Sequence, residues 1–257
     1  MTPIKSVAAA LLTVAVCAPA LSAQSADERS AARDIVKKRG DAVVMVTATL
    51  KVRYNVGGRD QTQDQQAQAN ATVLDASGLT VLSLSTLQPD DLMARSLSAR
   101  VSPDTKVDVT TEPSEIKMHL ADGREVPAKL VLRDQDLDLA FIRPSQPPSA
   151  PMTCVDMPSA KASILDLLFV IQRTSESTGW TTAAAFGTVQ LVIDKPQTYY
   201  QIAMPTMGGG GLGAPIFDAA GKFVGVILLR NAGRGASASG VLPADEIRDI
   251  AKQATAK

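Results

Sequence analysis

Short apolar segments separated by turn-forming residues recur along most of the chain. The runs Ala42–Leu50 and Leu165–Gln172 are rich in aliphatic and β-branched side chains, and turn signals such as Asp75–Gly78 and Asp218–Gly221 follow other runs. This succession of short runs and turns predicts β-barrels or β-sandwiches. Because the proline-rich stretch Pro144–Pro151 divides the runs into two groups, the sequence predicts two such units.

The segments at the two ends of this array are predicted to be helical. Ser25–Lys38 is charged, has Ser25 in the capping position and is followed by a glycine, and Pro243–Gln253 carries isoleucines on one face. Two polar stretches between strands are predicted to be surface loops. Gly57–Gln68 is interpreted as an exposed hairpin loop, and Pro89–Glu112 as a long surface connection.

The first residues of the chain have the pattern of a secretory signal peptide. A basic start is followed by the uncharged run Val7–Ala18 and by small residues, and the preferred cleavage site is after Ala23, with Ala20 as the second choice. Lipid attachment at Cys17 is the alternative, although the preceding valine is bulkier than such sites usually tolerate. The sequence therefore predicts a periplasmic or secreted protein that has no membrane span after cleavage. The predicted organisation is a signal peptide at 1–23, a helical segment at 24–40, a first barrel at 41–147, and a second barrel with a closing helix at 148–257.

Composition limits the partners and cofactors that this chain can use. The 26 basic residues are matched by 26 acidic ones, and aromatic residues make up only 4% of the chain. Neither feature favours a nucleic-acid partner. After loss of residues 1–23, Cys154 is the only cysteine and His119 the only histidine, so we expect no disulfide within the chain, no metal site and no cofactor.

Five segments, taken in order, resemble the protease domain of HtrA-family serine proteases over most of residues 41–254. The segments are Gly78–Thr86, His119–Val131, Asp134–Ala140, Gly213–Val226 and Leu242–Ile247. The resemblance implies an all-β protein of two antiparallel six-stranded β-barrels, the trypsin-like serine protease fold, with short helices at the N- and C-terminal ends.

The same resemblance identifies the positions that correspond to the catalytic triad. Ser85 stands where the family has its histidine, Asp138 where it has the aspartate, and Leu212 where it has the nucleophilic serine. A leucine has no nucleophilic atom, and a serine hydroxyl cannot take up a proton near neutral pH. We therefore expect no catalytic residue here. Asp138 is interpreted either as a relic of the triad or, preferably, as a structural residue that accepts backbone N–H bonds from the turn Arg133–Asp136.

The glycine-rich stretch that leads into the segment Gly213–Val226 has two possible interpretations. Gly210, Gly211, Leu212 and Gly213 correspond to the loop that forms the oxyanion hole in the family. The loop is either a residual pocket for a carbonyl or carboxylate group, or a loop that degenerated after catalysis was lost. His119 is predicted to be a half-exposed strand residue outside the site. Trp180 is predicted to fill the core of the second barrel, or else the wall of its specificity pocket.

These observations favour an exported pseudoenzyme that binds a peptide or protein partner in the cleft between the barrels. Two other interpretations stay open. In the first, the protein is a structural or regulatory subunit of an active HtrA-type assembly, and the Ser25–Lys38 helix takes part in homo-oligomer formation. Alternatively, it is an enzyme: a serine endopeptidase by fold, or one with an unrecognised mechanism.

Overall fold

A computed structural model describes residues 26–156, 160–203, 211–233 and 236–255. The predicted signal peptide, the capping residue Ser25 and the loop residue Gly210 lie outside the described residues. Within these ranges, the helices are all too short or too polar to cross a bilayer.

Residues of the first half form a closed antiparallel barrel in which the strands are ordered β1-β2-β3-β6-β5-β4. Its strands are β1 Val43–Val56, β2 Arg59–Val73, β3 Thr80–Ser83, β4 Val107–His119, β5 Glu125–Asp134 and β6 Leu139–Pro144. Two helices lie between β3 and β4, namely α2 Leu84–Leu87 and α3 Asp90–Ser98, and α1 Ala26–Arg39 precedes the barrel.

Residues of the second half form another closed antiparallel barrel, ordered β7-β8-β9-β12-β11-β10. Its strands are β7 Leu167–Arg173, β8 Thr182–Ile193, β9 Tyr199–Ala203, β10 Pro215–Asp218, β11 Phe223–Gly233 and β12 Ala236–Pro243. The helix α4, Ala244–Thr255, follows. The predicted fold class, two antiparallel six-stranded barrels with short helices at both ends, is confirmed.

Two tight turns, one in each barrel, show how the local sequence forms the hairpins. In the first, the Asp75 carboxylate accepts the backbone N–H groups of Ser77 and Leu79, at 2.8 and 3.1 Å. In the second, the Asp218 carboxylate accepts the N–H groups two and four residues later, at 2.9 and 2.8 Å. Each turn ends in a glycine at positive φ, which is the conformation that glycine adopts without strain.

The prediction of an exposed loop at Gly57–Gln68 is wrong. The chain turns at Gly57 and Gly58 alone, both at positive φ, and every residue of Arg59–Thr72 then pairs with β1 in an unbroken register. A two-residue Gly-Gly connection is a hairpin signal. The polar composition led to the wrong prediction, because the outer part of the strand is exposed on both faces and shows no apolar alternation.

The prediction of a long surface connection at Pro89–Glu112 is also wrong. Asp90 and Asp91 begin α3, where acidic residues in the first turn favour a helix, and from Val107 the chain already belongs to β4. The helix packs against β4 and buries part of Met93 under the first barrel.

Besides an apolar cluster inside each barrel, one further cluster extends across both barrels. It contains Val81 and Phe141 of the first barrel and Phe169 and Phe217 of the second, together with Ile247 of α4. The segment between the barrels also stays close to the first one, since the backbone N–H groups of residues 152 and 155 bond to carbonyls of that barrel. The predicted boundary between residues 147 and 148 therefore falls within a segment that packs on the first barrel, and β7 begins later.

A candidate site at the cleft between the barrels

Asp138 lies directly before β6 and is buried, with 6% of its surface exposed. Its carboxylate accepts four hydrogen bonds. The Ser85 N–H and hydroxyl donate to Oδ1 at 2.7 and 2.5 Å, and the Ser83 hydroxyl and the Leu229 N–H donate to Oδ2 at 2.5 and 2.8 Å. Because Leu229 belongs to β11, this carboxylate joins the second barrel to the first.

The donors to Asp138 are not those that the sequence suggested. The turn at Arg133–Asp136 is held by Asp134, whose carboxylate accepts the N–H groups of Asp136 and Leu137. Asp138 itself has φ +58, a left-handed conformation that aspartate tolerates better than most residues. The structural role preferred for Asp138 is thus consistent with the geometry, but its partners come from β11, from the end of β3 and from α2.

The glycine turn Gly211–Gly213 rests against β2 of the first barrel. Gly213 has φ +84, and a Cβ atom at this position would lie 1.8 Å from the Asn70 carbonyl oxygen. Its carbonyl accepts the Thr72 hydroxyl at 2.9 Å, and its N–H donates to the Ile227 carbonyl at 2.7 Å. Only glycine fits this close approach to β2, so position 213 requires a glycine.

Leu212 lies in a cleft cavity of about 450 Å³ between the barrels. The side chain is half-buried and contacts the second-barrel core. The lining is uncharged apart from the buried Arg173, and it consists of Met45, Gln68, Ala69, Asn70, Thr86, Gln172, Arg173, Thr174, Ser175, Thr178, Ala183 and Leu212. The buried Thr174 hydroxyl has no hydrogen-bond partner among the described residues. The structure therefore brings Ser85 and Asp138 into direct contact, and Leu212 lines the same cavity as Thr86, the residue after Ser85.

A family model described as "Trypsin-like peptidase domain" matches residues 97–226. This match covers about half of the chain and includes Asp138 and Leu212, whereas Ser85 lies just before it. The chain belongs to this trypsin-like peptidase family. No curated protein matches it significantly.

The single histidine of this trypsin-like peptidase domain lies on β4, away from Asp138. His119 is only 7% exposed, so the prediction of a half-exposed residue is wrong. Its Nε2 atom lies 2.9 Å from the Thr47 hydroxyl, and its Nδ1 atom lies 3.6 Å from a Glu125 carboxylate oxygen. Burial lowers the pKa of His119, which favours a neutral ring.

Trp180 covers the ring of His119. The two rings stack with centroids 4.5 Å apart and planes 23° apart. Trp180 is half-buried, follows the short 3₁₀ turn Glu176–Thr178 and lies outside the core cluster of the second barrel, so the prediction of a core residue is wrong. Instead, it attaches the β7–β8 connection to the first barrel, a contact between distant residues that no local pattern indicates.

Arg173, at the end of β7, is a residue that the sequence did not single out. It is 7% exposed, and its guanidinium donates to the carbonyls of Gly40 and Val43 at 2.9 Å each and to the Thr182 hydroxyl at 2.7 Å. Burial lowers the pKa of Arg173, and Asp41 nearby opposes this effect. The guanidinium thus fixes the start of the first barrel to the second one beside the cleft. A charged residue two positions after the apolar run that ends at Ile171 was the available signal.

Burial also shapes the electrostatics around Asp138. Burial raises the pKa of its carboxyl group, and the four donated hydrogen bonds act in the opposite direction. Burial, reinforced by the Asp138 charge, raises the pKa of Tyr199 to about 12. Tyr199 therefore stays protonated near neutral pH. Among the described residues, no three His, Cys, Asp or Glu side chains converge as a metal site would require.

Proposed function

We propose that this member of the trypsin-like peptidase family is non-catalytic and binds a peptide or protein partner in the cleft between its barrels. One observation carries the proposal. The Asp138 carboxylate, which would orient a catalytic imidazole, is occupied by the N–H and hydroxyl groups of Ser85. A serine protease needs a base at that position, and the Ser85 hydroxyl instead donates a hydrogen bond to the Asp138 carboxylate.

The location of the histidine supports the same proposal. The chain contains one histidine, and its ring is held by Thr47, Glu125 and Trp180. No imidazole is left to contact Asp138. At the nucleophile position, Leu212 offers only aliphatic carbon to the cleft. In serine proteases, loss of the nucleophile or of the histidine alone lowers kcat roughly a millionfold, so hydrolysis at a useful rate is not expected.

The cleft retains features that suit a polypeptide ligand. Its walls combine aliphatic groups with neutral amides and hydroxyls, including the Thr174 hydroxyl that has no partner in the described chain. A buried hydroxyl without a partner is costly, and a carbonyl or amide of a bound segment would satisfy it. We assign the chain to the HtrA-like kind, and to an exported protein, on the sequence segments given above.

The decisive experiment is a fluorophosphonate labelling assay combined with casein hydrolysis. We expect no labelling and no hydrolysis by the mature protein. The double variant Ser85→His with Leu212→Ser should regain labelling, whereas each single variant should stay unlabelled, because nucleophile and base act as a unit. Labelling of the unaltered protein that disappears on replacement of another serine would overturn the proposal.

A binding assay tests the second half of the proposal. Leu212→Trp should fill the cleft cavity and abolish capture of the partner in a pull-down with the tagged mature protein. The matched control is Leu165→Trp, since Leu165 is 78% exposed and lies outside the cavity. Equal partner capture by both variants would show that the cleft is not the binding site.

A further inference from the structure

At one end of the first barrel, β2, β1 and β4 extend as a three-stranded sheet with β1 in the centre. β1 pairs with β2 from Val43 to Val56, and it pairs with β4 over nearly the same length. β2, in contrast, pairs with β3 only at Thr72 and Val73. Within the described part of the chain, no strand pairs with the far side of β2 between Arg59 and Ala71.

The hydrogen-bonding groups on this open edge can be assigned from the register. The Leu74 N–H bonds to the Leu79 carbonyl, so it points to the side of β2 away from β1. Backbone groups alternate along an antiparallel strand, and the β1–β2 register has no bulge. The even-numbered residues Asp60, Thr62, Asp64 and Gln66 therefore direct their N–H and C=O groups to the open edge.

The opposite edge of the same sheet is obstructed. β4 contains Pro113, which has no N–H to donate, and a bulge in which Glu115 has φ +50. The Gln88 side chain also donates to the Thr111 carbonyl at 3.2 Å. Proline, bulges and covering groups are the usual means by which proteins prevent strand addition. β2 has no proline and no bulge against β1, so this sheet protects one edge and leaves the other able to accept a strand.

The open edge is held rigidly by its neighbours. The Tyr54 hydroxyl accepts the side-chain amides of Gln63 and Gln65, at 2.9 and 2.7 Å. On β1, Leu50 and Val52 are buried. A strand that is ordered before binding loses little conformational entropy when a partner pairs with it.

Charge on the sheet indicates what kind of strand fits. Asp60 and Asp64 lie on the same face of β2, four residues apart, and neither forms an ion pair with a described residue. Lys51 is the register partner of Asp64 on β1, yet the two form no ion pair, and Arg53 nearby is paired with Glu112 at 3.5 Å. Opposite charges directly across two strands stabilise their pairing.

We propose that the β2 edge at residues 60–66 accepts an extended segment of a partner polypeptide, added as an antiparallel strand, with basic side chains four residues apart facing Asp60 and Asp64. A second copy of this chain would bring the same acidic residues to the edge, which disfavours self-pairing. This inference goes beyond the proposed cleft function and does not depend on it, because residues 60–66 do not line the cavity beside Leu212, which β2 reaches only from Gln68 onward.

The test uses the mature protein and a fluorescein-labelled ten-residue peptide of alternating threonine and valine, in which two lysines replace residues four apart on one face. A twin peptide carries glutamates at those two positions. Fluorescence anisotropy should show about tenfold tighter binding of the lysine peptide, on the scale of two cross-strand charge pairs. Backbone N-methylation of the residues that face β2 should abolish binding. Hydrogen exchange should show that the peptide protects the amides of Thr62, Asp64 and Gln66.

Substitutions then locate the surface. The double variant Asp60→Lys with Asp64→Lys should weaken binding of the lysine peptide about tenfold. Asp108→Lys is the matched control, because Asp108 is an exposed aspartate of the same sheet on the obstructed β4 edge, and it should leave binding unchanged. Thr62→Pro removes one edge N–H and should abolish binding without affecting the ladder to β1.

Three outcomes would overturn the proposal. They are equal binding of the two peptides, protection of amides outside β2 by the peptide, and, without peptide, a dimer in sedimentation experiments whose β2 amides are protected from exchange. None of these outcomes bears on the labelling or on the Leu212 pull-down. Failure of the edge and failure of the cleft are therefore distinguishable.

Discussion

Replacing Gly213 by alanine should break the contact between the glycine turn and the first barrel. The added Cβ would lie 1.8 Å from the Asn70 carbonyl oxygen, and φ is +84. The positive φ costs about 1–2 kcal/mol in a residue with a Cβ. Relieving the clash costs about 1–3 kcal/mol more. Moving the turn also loses the hydrogen bonds to Thr72 and Ile227, at about 1 kcal/mol each. We expect a loss of about 4–7 kcal/mol, a large part of the ~5–15 kcal/mol that stabilises a typical domain.

The control for this prediction is Gly123→Ala. Gly123 has φ +83, nearly the same backbone strain, but a Cβ there meets no atom within 4 Å. It should cost only the strain of about 1–2 kcal/mol. Thermal denaturation of the mature protein should therefore give a Tm for Gly213→Ala that is roughly 6–20 °C below that of Gly123→Ala. Equal Tm values for the two variants would show that the turn does not rest against Asn70.

Two further predictions concern buried charged and titratable groups. Arg173→Met should destabilise the fold by about 3–5 kcal/mol in urea denaturation, because the buried carbonyls of residues 40 and 43 lose their donors. Arg143→Met, at a more exposed site, should cost less than about 1 kcal/mol. Equal losses would contradict the role of Arg173 in joining the two barrels. Burial lowers the pKa of His119, so below about pH 6.5 the unfolded chain binds a proton that the folded chain does not, and stability should fall as the pH falls. The variant His119→Phe should lack this slope between pH 7 and 5.5, while a rise in stability on acidification would mean that stacking of a charged ring on Trp180 outweighs burial.

The sequence identified the fold where local signals were strong. The apolar run Leu165–Gln172 forms β7, and α1 and α4 end within two residues of the predicted limits. The outer part of β2 was missed because strand prediction relies on apolar alternation, which an exposed strand does not need when a neighbouring strand pairs with it along its whole length. The Asp138–Ser85 contact follows the pairing that the family resemblance suggested, but nothing in the sequence pointed to Leu229 as its fourth donor.

The sequence by itself determined the turns and the absence of an imidazole for Asp138. An Asp-Ala-x-Gly turn forms from its own side chain and glycine, and the count of one histidine is a property of composition. Only the tertiary structure decided which distant groups became neighbours. The stack of His119 on Trp180, the clamp of Arg173 on residues 40–43 and the open edge of β2 all depend on how two closed barrels pack and where their strands stop pairing. Such contacts are set by the shape and burial of the whole chain, and no short stretch of sequence encodes them.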